Sequence, residues 1–171
     1  SIFLASFVHN ANFEMHSLDS VCELITDGTH YTPEYADEGV IFLSSRNVTS
    51  GYVNWDDVKY IPKELHVELH RRVAPLKNDI LLAKNGTTGV AAIVDREVTF
   101  DIYVSLALLR ASQLILPIYL REAINSPFCT HQFIARLRGI GVPNLHLKEI
   151  RRVQIPVPPI KLQHDFARVV A

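Results

Sequence analysis

Cysteine is scarce in this chain: Cys22 and Cys129 are the only two in 171 residues, far apart and each within an apolar, periodic stretch. Such a pair reads as two reduced core residues of a cytosolic protein rather than a disulfide framework. Long apolar runs are missing as well. The opening Ser1-Ile-Phe-Leu-Ala-Ser-Phe-Val8 is too short to span a bilayer and lacks the basic start of a signal peptide. Nothing here marks a secreted or membrane-bound chain, so a cytoplasmic location is expected. Low-complexity segments and internal repeats are also lacking. A chain of this length can bury a real core as one domain.

The signatures of the common enzymes are absent too. Asn85-Gly-Thr-Thr-Gly89 is not followed by the Lys-Ser/Thr that a phosphate-binding loop requires. A magnesium nuclease needs an acidic residue two before its lysine, and before Lys84 that position is Leu82. No glycine-rich cofactor loop and no Asn-Pro-Pro-Tyr-like segment is present, so methyl transfer would belong to a partner. His66 and His70 stand four apart on a predicted helix, but Val67 occupies the place of a zinc protease's glutamate, and no third ligand is identifiable. No metal and no cofactor is therefore expected. Asp27 with His30 resembles part of a catalytic pair, without a nucleophile beside it.

What the chain does have is charge set apart by sign. The formal net charge is only −1, yet eight acidic residues face a single Arg46 between Asp19 and Asp57, whereas seven basic residues face two acidic ones between Arg110 and Arg152. The basic part contains the most organised stretch. Ser126 is placed to cap a helix that Pro127 opens, with Phe128, Gln132, Phe133 and Leu137 at helical spacing. Gly139 and Gly141 end it, Asn144 caps a one-turn helix carrying Leu145, Leu147 and Ile150, and Val153, Ile155 and Val157 alternate as a strand. Pro158-Pro159 then stops pairing and feeds a last helix.

Earlier in the chain, residues 1–12 read as a tail. Ser17 or Asp19 caps a short helix bearing Val21, Cys22, Leu24 and Ile25, and the turn-rich segment from Thr26 to Pro33 follows. Val40–Leu43 is a buried strand, Val58–Ile61 a short one, and Pro62 opens a helix with Leu65, Leu69 and Val73 near one face. Asp79–Ala83 and Val90–Val94 form a hairpin around Asn85-Gly86. Tyr103–Leu109 is a further strand, and Pro117 starts a helix through Ile124. Strands crowd the first two thirds and helices the last, without a βαβ rhythm. The expected class is α+β, with a mixed, mostly antiparallel sheet and the first turns of a connecting helix at the end.

The order Gly28-Thr29-His30 with Pro33, Phe42-Leu43, Asn47-Val48, Asp79-Ile-Leu81, Asn85-Gly-Thr-Thr-Gly89, Asn144-Leu145 and Ile155-Pro-Val-Pro-Pro-Ile160 with Gln163 resembles a target recognition domain of the DNA-specificity subunit of type I restriction–modification enzymes. The resemblance covers the chain from Phe13 onward. It implies a non-catalytic module that reads one half of a split double-stranded DNA target, with a methyltransferase (modification) subunit as partner. A second recognition domain or a homodimer would complete the target. The implied layout is a recognition domain over 13–159 and the root of a connecting helix over 160–171. Phe13 stands where a tryptophan is common. Asn78 stands where glycine is usual, and asparagine tolerates the left-handed backbone such a position needs.

Base reading requires paired donors and acceptors on loops, with Lys or Arg to hold phosphates. Polar loops offer Thr29, His30 and Tyr31; Arg46 and Asn47; Lys84, Asn85, Thr87 and Thr88; and Arg136, Arg138, Asn144 and Lys148. For any one of them, a turn residue satisfying local backbone is an equally good account. Lys59, Lys63, Arg71 and Arg72 fit either a phosphate surface or a solvated face. The acidic stretch from Glu34 to Glu38 is expected to face away from DNA. On the last helix Leu162, Phe166, Val169 and Val170 fall on one face and are expected to meet a partner, leaving Phe166 and Val169 partly exposed in a monomer. The competing class is a protein-interaction module that uses this helix and has no DNA readout of its own.

Overall fold

Ile80-Leu-Leu-Ala83 and Leu106-Ala-Leu-Leu109 are apolar at every position. Successive side chains on a strand point to opposite faces, so these segments need cover on both sides. The computed structural model, which describes residues 13–137 and 144–170, supplies it. In chain order its elements are β1 (Met15–Ser17), α1 (Leu18–Val21), β2 (Cys22–Asp27), β3 (Val40–Leu43), a 3-10 turn (Ser45–Asn47), β4 (Lys59–Ile61), α2 (Lys63–Arg72), β5 (Ile80–Ala83), β6 (Ala91–Ile93), β7 (Phe100–Ile102), β8 (Leu106–Ala111), α3 (Pro117–Ile124), α4 (Pro127–Arg136), α5 (Leu147–Arg151), β9 (Gln154–Pro156) and α6 (Ile160–Val170).

A four-stranded sheet of order β2-β8-β5-β6, antiparallel throughout, forms the middle layer. Ile80, Leu82, Ala107 and Leu109 point from it into a core shared with Leu120 and Ile124 of α3, Phe133 of α4, Ile150 of α5 and Phe166 of α6. Leu81, Ala83, Leu106 and Leu108 point the other way, against Leu43, Phe100 and Ile102 of a second sheet of order β4-β3-β7. In that sheet β3 runs antiparallel to β4 and parallel to β7. Helices thus cover one face and a small mixed sheet the other. This is the α+β arrangement expected from the sequence, with the helices gathered toward the end of the chain.

Several local signals act as anticipated. Ser126 Oγ accepts from the Cys129 N–H at 3.3 Å, and Pro117 and Pro127 each stand in the first turn of their helix. β5 and β6 pair as a hairpin with Ile80 opposite Ile93. Asn78 adopts φ 73°, the left-handed backbone for which asparagine replaces glycine at small cost. Neither cysteine is bridged, and burial pushes both thiols up to about 12, so they are inert core groups at neutral pH.

Other expectations are corrected. Ser17 does cap a helix, accepting from the Ser20 N–H at 3.2 Å, but the helix ends at Val21. Cys22–Asp27 runs instead as β2, because pairing with β8, Ile25 opposite Leu109, outweighs the helical spacing of the apolar residues. The strand predicted over Tyr103–Leu109 begins only at Leu106, as β8; Tyr103–Ser105 is a turn, and a separate strand, β7, precedes it. β1, not predicted at all, pairs with β9. Asn144 does not cap the following helix: its backbone bridges Asn85, and His146 stands at the helix start. Phe128 is exposed, and Cys129 and Phe133 form the buried face of α4.

The terminal helix is corrected as well. Phe166 is 1% exposed and meets the Tyr119 ring edge-on at 5.4 Å, and Val170 also packs against the core. Buried Gln163 fastens the same face: its amide nitrogen donates to the carbonyls of Leu114 and Pro158, and its oxygen accepts from the Leu116 N–H at 2.8 Å. A glutamine with a donor and an acceptor both filled can be buried without the usual penalty. Of the predicted stripe, Val169 is exposed at 63%, and half-buried Leu162 lines a groove of about 750 Å³ with Leu114 and Ile160.

Candidate nucleic-acid interface

Because β2 and β5 both run antiparallel to β8, they end at its start; β3 and β7 run parallel and end there too. The segment leaving β7 is the Tyr103–Ser105 turn, and the three segments leaving β2, β3 and β5 are each fastened to it. The Tyr103 N–H donates to Leu43 O at 2.9 Å, and the Val104 N–H to Thr29 O at 2.9 Å. Ser105 Oγ accepts from the Ser45 N–H at 2.9 Å, while the Ser105 carbonyl accepts from the Lys84 N–H at 2.8 Å. Tyr103 Oη and Thr32 Oγ1 lie 3.0 Å apart as a hydroxyl pair. No glycine or proline marks this turn, so Tyr-Val-Ser reads from sequence as strand. Its role was therefore missed.

Gly28 shows how tight the junction is. A Cβ there would lie 2.0 Å from Ile102 O and 2.5 Å from the Tyr103 carbonyl carbon, both fixed backbone. Gly28→Ala is expected to cost about 1–3 kcal/mol or more in denaturant unfolding, as overpacking does. Wild-type stability in that variant would show that the two backbones can separate.

The loops divide into roots and tips. Thr29 is 6% exposed with its backbone in the junction, and Asn47 is 4% exposed, its side chain bonded to the Ser44 N–H and the carbonyls of Asn54 and Asp57. Lys84 is 4% exposed, and its ammonium lies 2.6 Å from Asp27 Oδ2. These three, expected at the surface, are withdrawn from it. Lysine is rarely buried without a partner, and here the partner lies 57 residues away in sequence, invisible to local reading. Arg72, left open between phosphate contact and a solvated face, donates to the carbonyls of Asp27 and Gly28.

The tips remain outside. His30 is exposed with Nε2 3.2 Å from Asp27 Oδ1, and Tyr31 and Thr87 are exposed. Arg46 is exposed and paired with Asp57. Thr88 turns its hydroxyl onto the Lys84 and Gly86 carbonyls. Asn85 Oδ1 accepts from Ser45 Oγ at 3.4 Å, on the wall of a cleft of about 300 Å³ that Arg46, Lys59 and Tyr103 also line. Lys59, left open between a phosphate surface and a solvated face, stacks on Tyr35 at its rim with Nζ 3.8 Å from the ring centre. Of the acidic stretch, Ala36 bridges Tyr60, Tyr35 lines the cleft, and Glu34, Asp37 and Glu38 are exposed.

The basic C-terminal segment adjoins this end of the sheet at two points. Phe133 of α4 packs 3.1 Å from where a Cβ on Gly89 would lie, and the Leu145 N–H donates to Lys84 O at 2.9 Å. Arg110, Arg121 and Arg151 are held by Asp79, Glu122 and Asp19. The paired contacts to Asp79 raise the Arg110 pKa still further above its usual value. Arg136, Lys148 and Arg152 have no acidic partner among the described residues; Arg136 donates to the Gln132 carbonyl of its own helix. Asn144 Oδ1 is buried without a hydrogen-bond partner among the described residues. Arg138, Gly139 and Gly141 lie outside the described residues.

The family described as type I restriction modification DNA specificity domain matches residues 10–170. The chain belongs to this family. It is 25% identical over 134 residues to the type I restriction enzyme EcoBI specificity subunit of Escherichia coli, a match covering 78% of this chain and 28% of that protein. The fold is shared with the S subunit of a type I restriction–modification system from M. genitalium, with TM-score 0.65 at 17% identity over 94% of this chain and 38% of that one. It is also shared with the HsdS subunit of Thermoanaerobacter tengcongensis, with TM-score 0.62 at 16% identity over 94% and 42%. The chain thus spans well under half the length of these relatives. No helix among the described residues of this specificity domain is long and apolar enough to cross a membrane.

Proposed function

We propose that this specificity domain recognises double-stranded DNA in a sequence-dependent way and reads one half of a bipartite target for a type I restriction–modification complex in the cytoplasm. The observation that carries this reading is the convergence of three polar loops, those of Thr29, Ser45 and Lys84, on one end of the sheet, rooted in a single turn, in a chain of the DNA specificity domain family. Rigid roots with polar tips give base-reading side chains fixed positions. The module itself is non-catalytic, and methylation and cleavage belong to partner subunits. His30, Tyr31, Arg46, Asn85, Thr87 and Thr88 supply base and nearby phosphate contacts; Arg136, Asn144 and Lys148 supply further phosphate contacts, and Arg138, outside the described residues, adds its charge to theirs. Val169 and the groove beside Leu162 are left on the last helix for a modification subunit, a second recognition domain or another copy.

The competing reading, a protein-interaction module without DNA readout, is less well supported, because Phe166 and Val170 are turned into the domain's own core. Binding measured against salt separates the two. Each phosphate contact contributes about 0.9 to the slope of log K against log salt, so Arg136→Ala with Lys148→Ala is expected to flatten the slope by about 2 on all sequences. Asn85→Ala is expected to change the preferred sequence, with about 1–3 kcal/mol of discrimination lost at one base pair. Wild-type binding that is insensitive to both salt and sequence would overturn the reading.

A further inference from the structure

We propose that His66, His70 and Asp101 form a binding site for a zinc-class divalent cation that fastens α2 to β7. The two histidines, four apart, share a face of α2, with ring centres 4.6 Å apart. Asp101, on β7, is the third ligand that the sequence could not identify, because it lies 35 residues from His66. Its carboxylate is 3% exposed and presents one oxygen to each ring: Oδ2 is 2.7 Å from His66 Nδ1, and Oδ1 is 3.5 Å from His70 Nδ1. One donor atom from each residue lies within 4.8 Å of the others. Tetrahedral zinc with bonds of about 2.0–2.2 Å sets its donors about 3.3–3.6 Å apart, within the range these atoms already span.

His70 Nδ1 is buried and makes no hydrogen bond. A buried imidazole nitrogen without a partner is unfavourable, and a metal bond would satisfy it. Two imidazoles and one carboxylate suit zinc and its neighbours rather than magnesium or calcium, which take oxygen ligands. The histidine side chains are 18% and 34% exposed, so a fourth position can be filled by water. The role is structural. α2 also carries Arg72, which holds the Asp27 and Gly28 carbonyls beneath the His30 loop, so a cation here would stiffen the support of that loop. This inference stands apart from the DNA-binding reading.

The test is calorimetric titration of chelator-stripped protein with zinc chloride, accompanied by thermal melts with and without the metal. Expected are one zinc per chain and a higher melting temperature with zinc. His70→Gln is expected to weaken zinc binding at least about tenfold, the lower end of what losing even an outer-shell partner costs. Its metal-free melt should stay close to that of wild type, since His70 Nδ1 makes no hydrogen bond and only the 3.5 Å approach to Asp101 and the ring contact with His66 are altered. Asp101→Asn is expected to lose zinc as well, and His70→Gln decides if that variant does not fold. Exposed His131 and His164 changed together to Gln should leave binding intact. Absence of saturable zinc binding in wild type, or equal affinity in His70→Gln, overturns the site.

Discussion

Replacing Lys84 by alanine is expected to lower the unfolding free energy by about 3–5 kcal/mol in urea titrations, as removal of one partner of a buried ion pair does. The ammonium and the Asp27 carboxylate are 2.6 Å apart, with side chains 4% and 7% exposed. Taking Lys84 away leaves a carboxylate in the interior with, among the described residues, only His30 and the more distant Arg72 beside it, 3.2 and 3.9 Å away. Replacing both partners, Asp27→Leu with Lys84→Met, is expected to recover most of the loss, because neither unpaired charge then remains. A cost below about 1 kcal/mol for Lys84→Ala, the range of an exposed pair, would mean that the lysine reaches solvent. It would then return to the surface proposed to face DNA.

Phe166→Ala is expected to cost about 3–5 kcal/mol, the usual penalty for emptying a buried aromatic site. The cavity would open beside Tyr119, whose hydroxyl donates to Pro156 O at 2.9 Å and whose ring edge rests against Phe166. Val169→Asp, three residues on at 63% exposure, should change stability by no more than about 0.5 kcal/mol. Sedimentation completes the comparison: the phenylalanine variant should lose stability without a change in association state. Equal stability of wild type and Phe166→Ala would mean that the helix is not seated on this domain.

In both cases the sequence alone placed the residue wrongly, because a distant partner decides its burial. Elements opened by strong local chemistry were legible: α2 behind Pro62, α3 at Pro117, α4 behind Ser126 and Pro127, and the β5–β6 hairpin around Asn85 and Gly86. Elements defined by distant partners were not. β1 is three residues long, and its strand partner β9 lies almost at the other end of the chain. Cys22–Asp27 carries apolar residues at spacings that suit a helix, and only β8 decides for a strand.

The candidate site follows the same division. Polar tips such as His30, Tyr31 and Thr87 could be nominated from turn chemistry alone. Root residues Thr29, Asn47 and Lys84 could not be told apart from them, because burial is fixed by Ile102, Asp57 and Asp27, each distant in sequence. The same blindness concealed Asp101 beside His66 and His70. On the last helix, helical spacing grouped Phe166 with Val169, and only the position of Tyr119 separates them.

The ladder between β1 and β9 sets Met15 opposite Pro156 and Ser17 opposite Gln154, so strands from the two ends of the described chain close on each other as a clasp. Backbone bonds from Leu18 to Val153 and from Val157 to Glu14 lengthen it on both sides. No residue of the clasp belongs to the loops fastened to the Tyr103–Ser105 turn. Substitutions at the tips of those loops therefore leave the clasp intact, and the two can vary independently.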